Sequence, residues 1–398
     1  MAQLVTSLPA GTAVPSATKV RVASIDVVRG LVMVIMALDH IREFWSPSTV
    51  RPEDVTQASV ALFFTRWVTH FCAPTFVFLS GVSIYLYAQK QPNRGRVSRF
   101  LLTRGLWLVA LELIVITFLL QWSHQLLVLE VIWAIGWAMV LLAGLIWLPR
   151  PVLVALAVLI IGGHNLLAPT QPVTAGNWWW ALLHNPPGVV ALPPLPPLLE
   201  AYAVLPWTGV MLAGYLIGPW FRAEAGQRQR WLVGAGAALL VLFVGLRLLN
   251  GYGDPQPWSV QPRGALYTVL SFLNVQKYPP SLLFLSLTLG VALLLLAGLE
   301  RATGAVSRVL RTFGQVPFFY FLLHLALISG SAWVWTRLAF GQAVNFGFEP
   351  QQNWPAAYTF HLWRAYLVWA VLVLLIYWPC RWYARYKQQH AYWWLSYL

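Results

Sequence analysis

The chain has 398 residues, of which 59% are apolar and only 10% charged, and its mean hydropathy is +0.65. Soluble domains carry about 45–50% apolar and about 25% charged residues, so this composition excludes a soluble enzyme, a disordered chain and a coiled coil, and predicts an all-α polytopic membrane protein. A net charge of +14 admits nucleic acid, acidic substrates or anionic lipid as partners, while two cysteines, Cys72 and Cys380, support neither a disulfide framework nor a cysteine-based metal site.

Residues 1–21 are small, polar and Pro-containing, without a basic start and apolar core, and read as a disordered tail instead of a signal peptide. A helix needs about 20 apolar residues to cross about 30 Å of hydrocarbon. Ten runs qualify: 24–45, 60–88, 100–121, 125–148, 151–168, 199–220, 231–249, 280–299, 314–336 and 363–380. They fall in one transmembrane domain, 22–387, followed by a tail at 388–398. Lys and Arg resist translocation and collect in short cytoplasmic loops. With the N-terminus inside, most of the 26 basic residues fall in inner segments, among them Lys90, Arg94, Arg96, Arg222, Arg230, Arg301, Arg308 and Arg385, so both termini are expected in the cytoplasm. The excess charge therefore belongs beside anionic lipid, and no nucleic-acid partner is expected. Three outer connections are long, 169–198 with Trp178-Trp179-Trp180, 250–279 and 337–362. Their aromatic content suits an interfacial belt, and their length fits either a lid or surface padding. No internal repeat is evident, which counts against an inverted-repeat transporter.

Ionisable residues inside spans are costly and usually face the bundle interior. The first span holds the most, from Ser24-Ile25-Asp26-Val27-Val28-Arg29-Gly30 to Asp39-His40-Ile41-Arg42-Glu43. Arg29 and His40 are eleven residues apart, which at about 100° per residue returns to the same direction after roughly 16 Å of rise. Asp26, Arg29, Met33, Met36, His40 and Glu43 thus share one stripe, along which the phosphopantetheine arm of an acyl-CoA can lie, with its phosphates at the Arg29 fork. The same terminal charges equally fit simple helix capping at the interface. In the second span Arg66 and His70 are one turn apart on one face, and Pro74 is expected to kink the helix beside them. In the ninth span His324 falls near mid-membrane, and Lys277-Tyr278-Pro279-Pro280-Ser281 opens the eighth rigidly. Glu112 and Glu130 are further acids in the third and fourth spans, and simple pairing with an Arg or a His would also account for either. His40, His70, Glu130 and His324 would form a polar site reached from outside if they face one another.

The histidines show no His-x-x-x-His spacing, so no metal is expected. A G-x-S-x-G elbow, a Walker loop and a dinucleotide fingerprint are all missing from the sequence. What remains is acid/base chemistry by a histidine with an acidic neighbour such as Asp39 or Glu130. Polar residues in spans also fit a transporter or flippase of a sugar- or lipid-linked substrate, and a non-catalytic scaffold stays open.

Ser24 to Gly30 running to Asp39-His40, then Thr65-Arg66-Trp67 to Pro74-Thr75-Phe76-Val77-Phe78-Leu79-Ser80-Gly81, resembles the catalytic domain of the heparan-alpha-glucosaminide N-acetyltransferase family in its bacterial branch. Pro206-Trp207-Thr208-Gly209, Tyr278-Pro279-Pro280-Ser281 and Phe313-Gly314-Gln315-Val316-Pro317 to His324 resemble later blocks, so the likeness runs along the whole chain. The Arg29 to His40 spacing is also similar to the Arg-x10-His pattern of membrane acyltransferases that O-acetylate surface glycans. The resemblance implies a ten-helix fold in a bacterial inner membrane, taking acetyl from cytosolic acetyl-CoA to a sugar hydroxyl or amine on the far side, and it allows a homodimer. By position it implies that Arg29 holds the CoA arm and that His40 is the catalytic histidine. The residues themselves add Asp39 and His70 as expected catalytic partners of His40, and Asp26, Arg66 and His324 around the CoA arm. The lysosomal branch carries its histidine in the loop after this helix, where this chain has none between His40 and His70.

Overall fold

Residues 22–167, 177–184, 188–390 and 392–396 are described by a computed structural model. The tail predicted at 1–21 and part of the long connection after residue 167 lie outside the described residues. The described chain is mostly helical: α1 Ala23–Trp45, α2 Val60–Trp67, α3 Cys72–Ala88, α4 Arg94–Leu111, α5 Thr117–Gln121, α6 Val131–Leu145, α7 Arg150–Gly163, α8 Trp178–Leu183, α9 Val204–Ile217, α10 Ala225–Leu249, α11 Ala265–Leu273, α12 Leu282–Gly298, α13 Ala305–Gln315, α14 Pro317–Phe340 and α15 Leu362–Gln389.

Six helical stretches are long and apolar enough to cross a membrane: Val60–Ala88, Arg94–Gln121, Val204–Arg222, Ala225–Leu249, Pro317–Phe340 and Leu362–Gln389. Three other predicted runs are shorter apolar helices, Val131–Leu145, Arg150–Leu166 and Leu282–Gly298. The remaining run is α1, whose five Asp, Glu and Arg side chains offset its apolar surface. The last helix continues to Gln389, well past the expected end at 380.

The all-helical expectation needs one correction. Three short strands, β1 Leu127–Leu129, β2 Gly188–Val190 and β3 Leu198–Glu200, form a sheet in the order β1-β3-β2, with β1 and β3 parallel and β2 and β3 antiparallel. These segments precede α6 and α9, and pairing with one another satisfies backbone groups that a helix would otherwise have satisfied internally.

The helices meet where glycines let backbones touch. α4 and α6 cross at Gly105 and Gly136, where a Cβ on either would come within 2.6 or 2.8 Å of the other's carbonyl oxygen. A Cβ on Gly30 or Gly314 would overlap backbone across the α1–α13 crossing, and one on Gly81 or Gly214 would do so between α3 and α9. Lipid tails are as apolar as leucine, so membrane helices associate through such close van der Waals packing, not through hydrophobic expulsion. α1 is the central element, packed on α3, α12, α13, α14 and α15. One end of the bundle carries the short turns at 89–93, 222–224 and 299–304, with Lys90, Arg94, Arg222 and Arg301 in or beside them, and is called the basic end here. The other carries the long connections and is the loop end.

Candidate functional site

Two features are stacked along α1. Toward the basic end lies an open cavity of about 460 Å³ lined by α1, α3, α4, α6 and α14, by Gln315 of α13 and by Lys387 of α15. Arg29, Arg104 and Lys387 supply positive charge to its lining, and Ser80 and Ser83 supply hydroxyls. Deeper in, Met33 and Met36 of α1 face Ile132, Ile135 and Met139 of α6. Thioethers have no strong directional demands and mould to irregular ligands. Arg29 is held in place: Nη2 donates to Ser83 Oγ at 3.0 Å, Nη1 to the Gly314 carbonyl at 3.4 Å, and Asp26 lies 3.6 Å away. The close α1–α13 crossing at Gly30 and Gly314 thus also positions this guanidinium. Arg29, Met33 and Met36 fall on one wall, as the stripe requires.

Toward the loop end the cavity gives way to a polar cluster. His40 stands one turn beyond Met36 and His324 one turn beyond Phe321, both of the latter being cavity residues. The two imidazoles meet edge to face with 5.3 Å between centroids. His324 is fully buried, whereas His40 is only partly so. Helix α2 and the 3-10 turn Val68–Phe71 bring Arg66 and His70 alongside. That turn lies just before Pro74 of α3, which has no N–H to bond the His70 carbonyl, and it separates α2 from α3 within one 29-residue helical stretch.

Asp39 bonds Arg42 at 3.0 Å and also Arg66, whose Nε donates to Glu53 at 2.8 Å. Its carboxylate is therefore occupied by two arginines, and its hydrogen bonds go to them and not to the His40 ring. Burial would push the Glu53 carboxyl up, but the Arg66 guanidinium beside it outweighs this and holds it below its ordinary value. His70 is buried against Phe284 at 5.4 Å between rings, and its Nδ1 has no hydrogen-bond partner.

Glu112 bonds a backbone N–H in place of an Arg or a His. Glu112 sits in a π-helical turn, Glu112–Ile116, and its Oε1 accepts the backbone N–H of Glu130 at 2.9 Å, capping the start of α6. Glu130 lies within electrostatic reach of His40 and Lys277. A π-turn re-aims one side chain without ending a helix, and here it puts a carboxylate on an orphan N–H.

The 250–279 connection completes the cluster, because Arg247 gathers it from within. Its guanidinium donates to the carbonyls of Gln256 and Asn274 at 2.7 Å, Ser271 at 2.9 Å and Phe272 at 3.0 Å. Asp254 accepts from Gln276 N and Ser281 Oγ at 2.8 and 2.7 Å. Lys277 is thereby buried over the rings of Tyr278 and Tyr202, at 4.8 and 5.6 Å. Sequence reasoning singled out the Lys277–Ser281 block but missed Tyr202, Glu53, Ser83, Arg104 and Lys387, none of which carries a local pattern. Among the described residues, no group of three or more His, Cys, Asp or Glu could hold a metal ion.

A family model described as heparan-alpha-glucosaminide N-acetyltransferase, catalytic, matches residues 21–252, more than half of the chain, and the protein belongs to this family. The matched region contains Arg29, Asp39, His40, Arg66, His70, Glu130 and Tyr202, while Lys277 and His324 lie beyond it. No curated protein matches the chain.

Proposed function

From membership of this membrane acyltransferase family, we propose that the protein crosses a bacterial inner membrane ten times, with its basic end in the cytoplasm. It transfers acetyl from cytosolic acetyl-CoA to a sugar hydroxyl or amine on the opposite side. The observation that carries the reading is the cavity along α1, which begins among Arg29, Arg104 and Lys387 and stops one turn short of His40 and His324. Its donor set suits the donor substrate. Guanidinium and ammonium groups match phosphate, and an apolar, Met-lined passage matches an extended arm ending in a thioester.

In this reading Arg29, fixed by Ser83, Asp26 and Gly314, binds phosphate at the basic end. His40, partly exposed, removes the proton from the acceptor as the acceptor attacks the thioester carbon. Asp39 holds Arg66 in place. Arg66 and His70 border the site as donors for the developing oxyanion, which fixed donors in a water-poor site stabilise strongly.

The test is turnover by purified protein with acetyl-CoA and glucosamine. CoA thiol released in step with acetylated glucosamine supports acyl transfer. Uptake of a sugar into proteoliposomes without consumption of acetyl-CoA would replace it with transport.

A further inference from the structure

His40 and His324 come from helices distant in sequence, and their rings meet at 67° across 5.3 Å. Their surroundings differ. His324 Nδ1 lies 2.6 Å from the carbonyl oxygen of Phe321 and 3.2 Å from that of Tyr320. A carbonyl only accepts, so Nδ1 carries a proton, and in the neutral ring the lone pair sits on Nε2. That Nε2 is buried and has no hydrogen-bond partner. Tyr320 stacks on the ring and Phe321 tilts against it, at 5.3 and 5.4 Å, which fixes its plane. Buried polar atoms are nearly always matched, so a tautomer locked to present a bare lone pair beside another imidazole calls for an explanation. His40 is partly exposed, while His324 is enclosed one turn beyond Phe321, a wall residue of the cavity. The pair therefore stands where the cavity gives way to the polar cluster.

The geometry points to His324 as the proton relay of acyl transfer: its Nε2 receives the proton that His40 removes from the acceptor and passes it to the departing CoA sulfur. This rests on the acyltransferase reading above. His40 takes the acceptor's proton on one ring nitrogen as the acceptor's oxygen or nitrogen bonds to the thioester carbon. The proton on its other nitrogen moves to His324 Nε2. When the tetrahedral intermediate collapses, the C–S bond breaks, its electron pair goes to sulfur, and Nε2–H protonates the thiolate. His324 returns to its starting tautomer, and His40, being partly exposed, restores its own by exchange with water.

The experiment uses two acyl donors, acetyl-CoA and S-acetyl-4-nitrothiophenol, with glucosamine as probe acceptor. The second donor's thiolate leaves readily without a proton. His324→Phe keeps a ring in place but cannot carry a proton. At saturating donor it is expected to lose about 100-fold or more in turnover with acetyl-CoA, and to lose less than about 10-fold with the nitrothiophenyl ester. His40→Ala is expected to lose activity with both donors. Equal losses on the two donors in His324→Phe, or no loss on either, overturn the relay. Should His324→Phe fail to fold, His324→Gln is read by the same ratio of donors. A wild type that neither binds nor cleaves acetyl-CoA overturns the acyltransferase reading itself. A wild type that turns it over beside a variant with unchanged donor ratio overturns the relay alone.

Discussion

Replacing Gly105 or Gly136 by alanine tests whether helix packing by close backbone approach shapes the cavity. A Cβ at Gly105 would lie 2.6 Å from the Gly136 carbonyl oxygen, and one at Gly136 would lie 2.8 Å from that of Gly105, whereas ordinary contact begins near 3.4 Å. The shortfall is roughly 0.8 and 0.6 Å, and the side chains of Val140 and Val109 crowd the same space. Overpacking on this scale costs about 1–3 kcal/mol, and alanine's higher helix propensity returns up to about 1. Each single variant should therefore lose about 0–2 kcal/mol. Both residues sit at one crossing, so once the first has parted the helices the second should add less than its separate cost. Gly245 of α10 is the control: a Cβ there meets nothing within 4 Å, and Gly245→Ala should gain about 0.5–1 kcal/mol. Unfolding of the purified protein in mild detergent measures all four variants. Because α4 and α6 both line the cavity, the crowded variants should also bind acetyl-CoA less well. Gly105→Ala as stable as Gly245→Ala, or strict additivity in the double variant, would refute the reasoning.

His40→Ala should abolish transfer while leaving acetyl-CoA binding intact, as measured by thiol release alongside a thermal shift; normal turnover in this variant would sink the role given to His40. Met36→Trp should fill part of the cavity and weaken acetyl-CoA binding at least tenfold with little change in stability, and unaltered affinity would place the donor elsewhere. Glu53 is held below its ordinary pKa of 4.5 by Arg66. Its contribution is therefore complete above that value and lost as pH falls beneath it, so the wild type should lose stability faster than Glu53→Gln below about pH 4.5. Parallel pH curves for the two proteins would contradict the pairing.

The helical spans were legible because lipid demands about 20 apolar residues per crossing, and the stripe on α1 because 3.6-residue periodicity fixes which side chains share a face. Arg29, Met33 and Met36 line one cavity for that reason. The juxtaposition of His40 with His324 depends on how α1 packs against α14, which no local pattern encodes. Asp39 reads as a partner for its neighbour His40, but two arginines, one from α2, claim its carboxylate, and charge pairs more strongly than a neutral ring. The short sheet before α6 and α9 escaped notice because three-residue apolar strands look like helix ends. Glu112 can be read from sequence as a partner for an Arg or a His, whereas the π-turn delivers it to a backbone N–H.

The most direct measurement is acetyl-CoA binding by the detergent-purified protein, read as thermal stabilisation, with Arg29→Ala beside it. A ligand that binds only the folded state raises apparent stability by RT ln(1 + [L]/Kd). Stabilisation at micromolar acetyl-CoA that weakens markedly in Arg29→Ala is the expected result. No shift at millimolar acetyl-CoA, or an equal shift in the variant, would contradict a donor site along α1.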